Sequence, residues 1–401
     1  MNVLFITICR MNDISERDIY KDLMRKFRDE GHNVFIAAPV ERRYKQSTGL
    51  FEQNGVNILE IKTLNLQKST IFEKGIGTIL IEYQFLAAVK KYYSDVKFDL
   101  VLYSTPPITF TKVVKAIKKR DAAISYLLLK DILPQNAVDL GLMRKNALIH
   151  RFFRAKECAL YAVSDHIGCM SPANVDYLSK NNPSINPQII EVNPNSIEPL
   201  KASLTKEEKT KIRLQYGLPV DKSIFIYGGN LGRPQGVDFL IKVLKSNSTN
   251  DHAFFVIVGN GTEYPKIKEW FTQNKPINSV LLASVTKAKF ERLVQACDIG
   301  LIFLDPRFTI PNYPSRLLSY LECSKPILAA TDLNTDIGQE AEENGYGLWC
   351  ESGNLKLYNE KINFIAKNQK LACAMGVAGY HYLQANFTVD KSFSTIMKHM
   401  I

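Results

Sequence analysis

The chain has no stretch of about 18 consecutive apolar residues, the length a helix needs to cross a bilayer. It also lacks CxxC, HExxH and DxD patterns. Its seven cysteines (Cys9, Cys158, Cys169, Cys297, Cys323, Cys350, Cys373) are scattered and odd in number. Thiolate zinc sites and a disulfide framework therefore have no support; the expectation is no metal, and cysteines that act as small packing residues. No GxxxxGK[ST] and no GxGxxG occurs, which removes the P-loop and the dinucleotide fingerprint. The opening MNVLFITICRMND has neither a charged n-region nor a small-residue cleavage site, so it reads as a first strand. The expected location is the cytoplasm.

What is present is an ordinary globular composition, 46% apolar and 23% charged, over 401 residues. That length exceeds one typical core and predicts two domains. The net charge is +11, with +7 in residues 1–195 and +4 in the remainder. Such a bias favours an anionic partner. No helix-turn-helix, RRM or KH signature accompanies it, so nucleic acid is not expected. The segment RKNALIHRFFRAK (144–156) interleaves Phe152 and Phe153 with five cations, a pattern suited to an anionic membrane surface.

Strand-like and helix-like runs alternate twice along the chain. NVLFITI, NVFIAAP, FDLVLYSTPP and AAISYLLL are strands of the first half; SIFIYGG, AFFVIVGNG, VLLASV, IGLIFLDP and PILAAT are strands of the second. Alternation of this kind gives mainly parallel sheets covered by helices, an α/β class. NPNSIEP supplies turn residues without periodicity and marks a linker near 195/196, and Thr205 to Glu208 reads as a capping box. Glu340, Glu342 and Glu343 read as the solvated face of one helix.

In the second half each strand ends in a loop suited to binding. YGGNLGRPQG (227–236) follows the first, GNGTEYP the second, ASVTKAKF the third and DPRFTIPNYPSRLLSYLECSKP the fourth. Ligands of open α/β sheets bind at the carboxyl ends of strands, so these loops should converge. Glycines let backbone amides approach a phosphate, and Arg233 adds a forked cation.

With these motifs, and with EGHNV, STPP, DILPQNAVDLG, SDHIGCMSPANVDYL and VNPNSI before them, the chain resembles the retaining glycosyltransferases of family 4, in particular the O-antigen and capsule branch with fucosamine-type transferases. The resemblance implies the GT-B fold, two Rossmann-like domains facing a cleft. Residues 1–195, completed by 378–401, would hold the acceptor, and residues 196–377 the nucleotide sugar. It places the diphosphate at Gly228, Gly229, Asn230, Arg233 and Gln235, and the nucleobase at Ala283, Ser284 and Val285. Gly259 and Gly261 would support that wall, while Pro314, Ser315, Arg316 and Leu317 open a helix toward phosphate or sugar hydroxyls. Arg233 and Asp131 are the catalytic candidates; Arg10 and Lys130 are the acceptor-side ones. The chain departs from the family at Pro311 and Ser319, where paired glutamates usually hold donor sugar and ribose.

The resemblance implies transfer of a hexose derivative, N-acetylated with or without a 6-deoxy carbon. The donor would be a UDP-sugar and the acceptor a polyprenyl-diphosphate-linked sugar. Retention, no metal, no cofactor beyond the donor, and peripheral attachment at the inner face of the plasma membrane go with it. Two alternatives stand beside this: a UDP-N-acetylglucosamine 2-epimerase, which shares the two-domain fold, and an inactive UDP-sugar-binding subunit, suggested by Ser319.

Overall fold

A computed structural model describes residues 1–66, 71–200 and 204–400. The chain forms two compact units, Met1–Glu198 with Val389–Ile401, and Pro199–Thr388.

The first unit is built on β1 (Asn2–Ile6), β2 (Asn33–Glu41), β3 (Gly49–Gln53), β4 (Val56–Thr63), β5 (Leu100–Ser104), β6 (Ile124–Leu129), β7 (His166–Cys169) and β8 (Ile190–Val192). Their order across the sheet is β3-β4-β2-β1-β5-β6-β7-β8. The central strands are apolar without alternation because both of their faces are covered: Val3, Leu4, Phe5 and Ile6 are all fully buried. Phe5 stands in register with Ile36 on one side and Leu102 on the other. One pair is antiparallel, β3 with β4. Asn54 and Gly55 turn it, with φ of 51° and 74°, the positive pair a tight hairpin needs. The helix Val389–Met397 packs on the helix Ile19–Asp29, with the Phe393 and Phe27 rings edge-on at 4.9 Å.

The second unit has six parallel strands: β9 (Ser223–Asn230), β10 (Ala253–Asn260), β11 (Ser279–Leu282), β12 (Ile299–Phe303), β13 (Ile327–Thr331) and β14 (Gly347–Glu351). Their order is β11-β10-β9-β12-β13-β14. The chain leaves β9 toward β10 on one side and later returns to β12 on the other. Such a reversal opens a crevice beyond the carboxyl end of β9. Thr205 and Glu208 make the expected capping box at the start of Lys206–Gln215.

The division at 388/389 differs from the expected 377/378. Residues 378–386 continue the helix Gln369–Asn386, which lies against Arg316–Glu322 of the second unit. Gly376 permits that contact: a Cβ there would stand 2.0 Å from the Ser324 carbonyl oxygen. Only the helix after it belongs with the first unit.

Candidate functional site

The carboxyl ends of β9 and β10 run side by side, Gly229 opposite Gly259 and Asn230 opposite Asn260. The approach requires glycine at 259, since a Cβ there would fall 1.9 Å from the Gly229 carbonyl oxygen. Beyond them lies a cleft of about 640 Å³. Gly228, Gly229, Asn230 and Gln235 line it from the first loop and Gly259 from the second. Ser284 and Val285 come from the loop after β11, and Pro314, Ser315 and Arg316 from the start of Arg316–Glu322.

The Gln235 side-chain oxygen accepts from the Gly232 amide at 3.1 Å and so closes the loop. From below, Tyr320 fixes the strand end: its hydroxyl accepts from the Gly228 amide at 3.2 Å and donates to the Ile226 carbonyl at 3.1 Å. Burial holds the Tyr320 phenol well above its usual range, so it stays a donor.

Arg316 is the cation nearest the two-glycine strand end. Its guanidinium rests over the Tyr227 ring at 4.3 Å, a cation–π contact that holds the side chain flat. Burial raises the Tyr227 phenol, against the lowering effect of Arg316. The Tyr227 hydroxyl donates to the Asn230 carbonyl at 2.7 Å. Arg316 Nη2 lies 3.7 Å from where a Cβ on Gly229 would stand, and Nη1 is buried with no hydrogen-bond partner. An orphaned guanidinium N–H beside bare backbone is costly unless something fills the space.

Arg233 is not part of this arrangement. The short 3₁₀ turn Arg233–Gln235 sends Gln235 into the cleft and Arg233 to a second pocket, where its Nε lies 3.6 Å from Glu263. Three other expected residues also stand apart from the lining. Ala283 is exposed beside it, Gly261 packs under the Leu231 carbonyl, and Leu317 is wholly buried in the core.

Lys287, Phe290, Asn260 and Ser319 line the cleft in addition. Phe290 occupies the space a side chain at Gly228 would need. The lining thus carries two cations, Arg316 and Lys287, and among the described residues no carboxylate.

The first-unit candidates lie at the ends of β1 and β6. Arg10 stacks on Tyr44 at 4.0 Å and donates to Gln46 at 3.2 Å. The Lys130 and Asp131 amides both donate to Thr105 Oγ1, at 2.9 and 3.1 Å, which ties this turn to the STPP segment. Lys130 Nζ donates to the Asn193 carbonyl at 3.1 Å. Loss of hydration brings its ammonium down to about 7 and the Asp131 carboxyl up to about 6. The Asp131 side chain is nevertheless open to solvent, which limits the second shift more than the first.

Glu340 departs from the solvated face expected for it. It accepts the hydroxyls of Tyr313 and, at 2.5 Å, Tyr346. Burial raises its carboxyl against the lowering effect of those bonds. Tyr313 immediately precedes Pro314, so this contact pins the loop that delivers Arg316.

Residues 208–382 match the family model described as glycosyl transferases group 1. WbjE of Pseudomonas aeruginosa, a probable glycosyltransferase, is 22% identical over 283 residues, 71% of this chain and 69% of that protein. Sucrose-phosphate synthase from Thermosynechococcus elongatus superposes with a TM-score of 0.78 at 14% identity, over 99% of this chain and 97% of that one. HepE of Anabaena, solved with UDP and glucose, superposes with a TM-score of 0.72 at 16% identity, over 100% and 99%. Residues 208–382 therefore resemble a group 1 glycosyltransferase domain, and the chain's two units share the GT-B fold of these solved structures.

Proposed function

We propose that the chain transfers a hexose derivative, N-acetylated with or without a 6-deoxy carbon, from a UDP-sugar to a polyprenyl-diphosphate-linked sugar in capsule or O-antigen synthesis. The observation that carries the reading is Arg316: its guanidinium lines the cleft with Nη2 beside the two-glycine strand end, and its Nη1 is buried without a hydrogen-bond partner. A diphosphate supplies what that group lacks, and a planar fork suits it. The UDP held by HepE supports the choice of nucleotide.

In the reaction the bond between the sugar's anomeric carbon and the diphosphate oxygen breaks, and charge builds on the leaving diphosphate. Arg316, Lys287 and the loop amides would stabilise it. The acceptor hydroxyl attacks on the face the phosphate leaves, and its proton passes to a phosphate oxygen. Configuration is then retained without a protein nucleophile. The two-cation lining, with no carboxylate, supports charge neutralisation by side chains in place of a metal.

Attachment to the inner membrane face is supported by the helix Leu148–Val163. Leu148 is 84% exposed, and Ile149 and Phe152 are exposed near Arg144, Lys145 and Arg151. On the helix Ile71–Tyr92, Ile76, Ile79, Leu80 and Tyr83 are exposed at helical spacing, and Glu82 there pairs with Lys156 at 3.1 Å. Apolar side chains ringed by cations suit an anionic bilayer.

The test is incubation with UDP-sugars and a polyprenyl-diphosphate-linked sugar, with products read by mass spectrometry and the new anomeric centre by NMR. A retained linkage is expected. Formation of N-acetylmannosamine from donor alone would favour the epimerase. UDP binding without turnover would favour a binding subunit.

A further inference from the structure

On the far side of the Arg233–Gln235 turn lies a second pocket, of about 470 Å³, which shares no lining residue with the donor cleft. It opens over the first turn of the ten-residue helix Val237–Ser246. Helix starts leave amides without internal acceptors. Phe239 and Leu240 donate to the Gly236 carbonyl, while among the described residues the Val237 and Asp238 amides find no acceptor. Gly236, at φ +53°, lets the chain turn into the helix there.

A second observation is independent of that helix. Ser352, from the loop after β14, lines the same pocket, is 6% exposed, and its Oγ has no hydrogen-bond partner. A buried hydroxyl left unpaired in the wall of a pocket is a donor that a ligand bound there can satisfy.

The charged groups around the pocket indicate the ligand. Arg233, Lys242, Lys266 and Arg307 line it, against Asp238, Glu263 and Asp305. Asp305 is committed to Arg307 through bonds of 2.8 and 2.7 Å; burial works to raise its carboxyl, but those bonds hold it below its usual range. Lys266 pairs with Asp238, both well exposed, and Arg233 stands 3.6 Å from Glu263. Exposed pairs of this kind contribute little, so their cations can turn to a stronger anion at small cost. Lys242 has no carboxylate partner among the described residues.

We propose that this pocket binds a phosphate monoester or phosphate ion as a site separate from the donor cleft. Lys242, Arg233, the Ser352 hydroxyl and the first amides of Val237–Ser246 hold the oxyanion. Its volume exceeds that of a bare ion, so it takes the anion with an attached sugar-sized group. Because one short turn carries Arg233 on this side and Gln235 on the other, an occupant here also steadies the donor loop. Linkage then requires each ligand to favour the other.

The experiment uses the full chain saturated with UDP, titrated with inorganic phosphate and with a hexose 6-phosphate and followed by calorimetry. Saturable binding is expected, weakened at least tenfold in Lys242→Glu, an exposed position, and several-fold in Ser352→Ala, with UDP affinity in the absence of phosphate within twofold of the parent. Tighter binding of the hexose phosphate assigns the site to a phosphosugar; equal affinity assigns it to the free anion. Absence of saturable binding to the UDP-bound chain overturns the proposal, as does binding that Lys242→Glu leaves unchanged. The UDP titration alone reports on the donor cleft, so failure of either site is seen separately.

Discussion

The ends of β1 and β9 occupy equivalent places in the two sheets and are built in opposite ways. After β1 the chain closes with side chains: Thr7 Oγ1 accepts from the Cys9 amide, and Arg10 lies on Tyr44. After β9 it stays bare, with Gly228 and Gly229 alongside Gly259, and Arg316 and Lys287 line the cleft beyond them. The first end is filled by its own side chains, although Arg10 Nε is itself buried without a hydrogen-bond partner. The second leaves bare backbone and two cations bordering a cleft, and that is the difference between a strand end filled by its own side chains and one open to an anion.

The most severe way to break that contrast is Gly259→Ala. The new methyl would meet the Gly229 carbonyl at 1.9 Å and force β9 and β10 apart. A loss of about 3 kcal/mol in stability is expected, with UDP binding abolished, as read by thermal shift and calorimetry. Gly31→Ala in the first unit, at φ +82° with open space around it, should cost only about 1 kcal/mol.

Glu340→Ala comes next. It strips the acceptor from the Tyr313 and Tyr346 hydroxyls, and a loss of about 2 kcal/mol follows if each unmet hydroxyl costs about 1 kcal/mol. Because Tyr313 holds the loop before Arg316, UDP affinity should fall with it. A normal UDP affinity in a destabilised protein would separate the anchor from the cleft.

The smallest expected change in stability, within about 0.5 kcal/mol, is for Leu148→Ser with Phe152→Ser, since both side chains are exposed. Flotation with anionic vesicles should nonetheless drop, and high salt should weaken what remains. Equal recovery on neutral vesicles would count against a charged docking surface.

Much of this was legible in the sequence. Apolar runs ending in glycine located β9 and β10, and the PSRLL segment put Arg316 at a helix start. Three strands escaped. The hairpin β3–β4 has mixed polar content, and Asn54-Gly55 was its one clear signal. β14 is as long as β12 and β13, but its GLWCE opens on Gly and closes on Glu and lacks the branched apolar run that marked those strands. Arg233 shows a different limit: its position in the loop was visible, but which side of a three-residue turn a side chain takes depends on backbone geometry. Lys287 and Phe290 reach the cleft only because β11 neighbours β10, which no local pattern states. Glu340 looked solvated because the tyrosines that bury it lie 27 residues before it and six after.

The central claim is that Arg316, and not Arg233, meets the diphosphate. Calorimetric titration of UDP into Arg316→Ala and Arg233→Ala, side by side, tests it most directly. Loss of one such charge-stabilising donor costs about 2–4 kcal/mol, so Arg316→Ala should bind roughly 30- to 1,000-fold more weakly. Arg233→Ala should stay within about threefold, as expected for an exposed side chain paired weakly with Glu263. The reverse order, with Arg233→Ala crippled and Arg316→Ala near normal, would contradict the account.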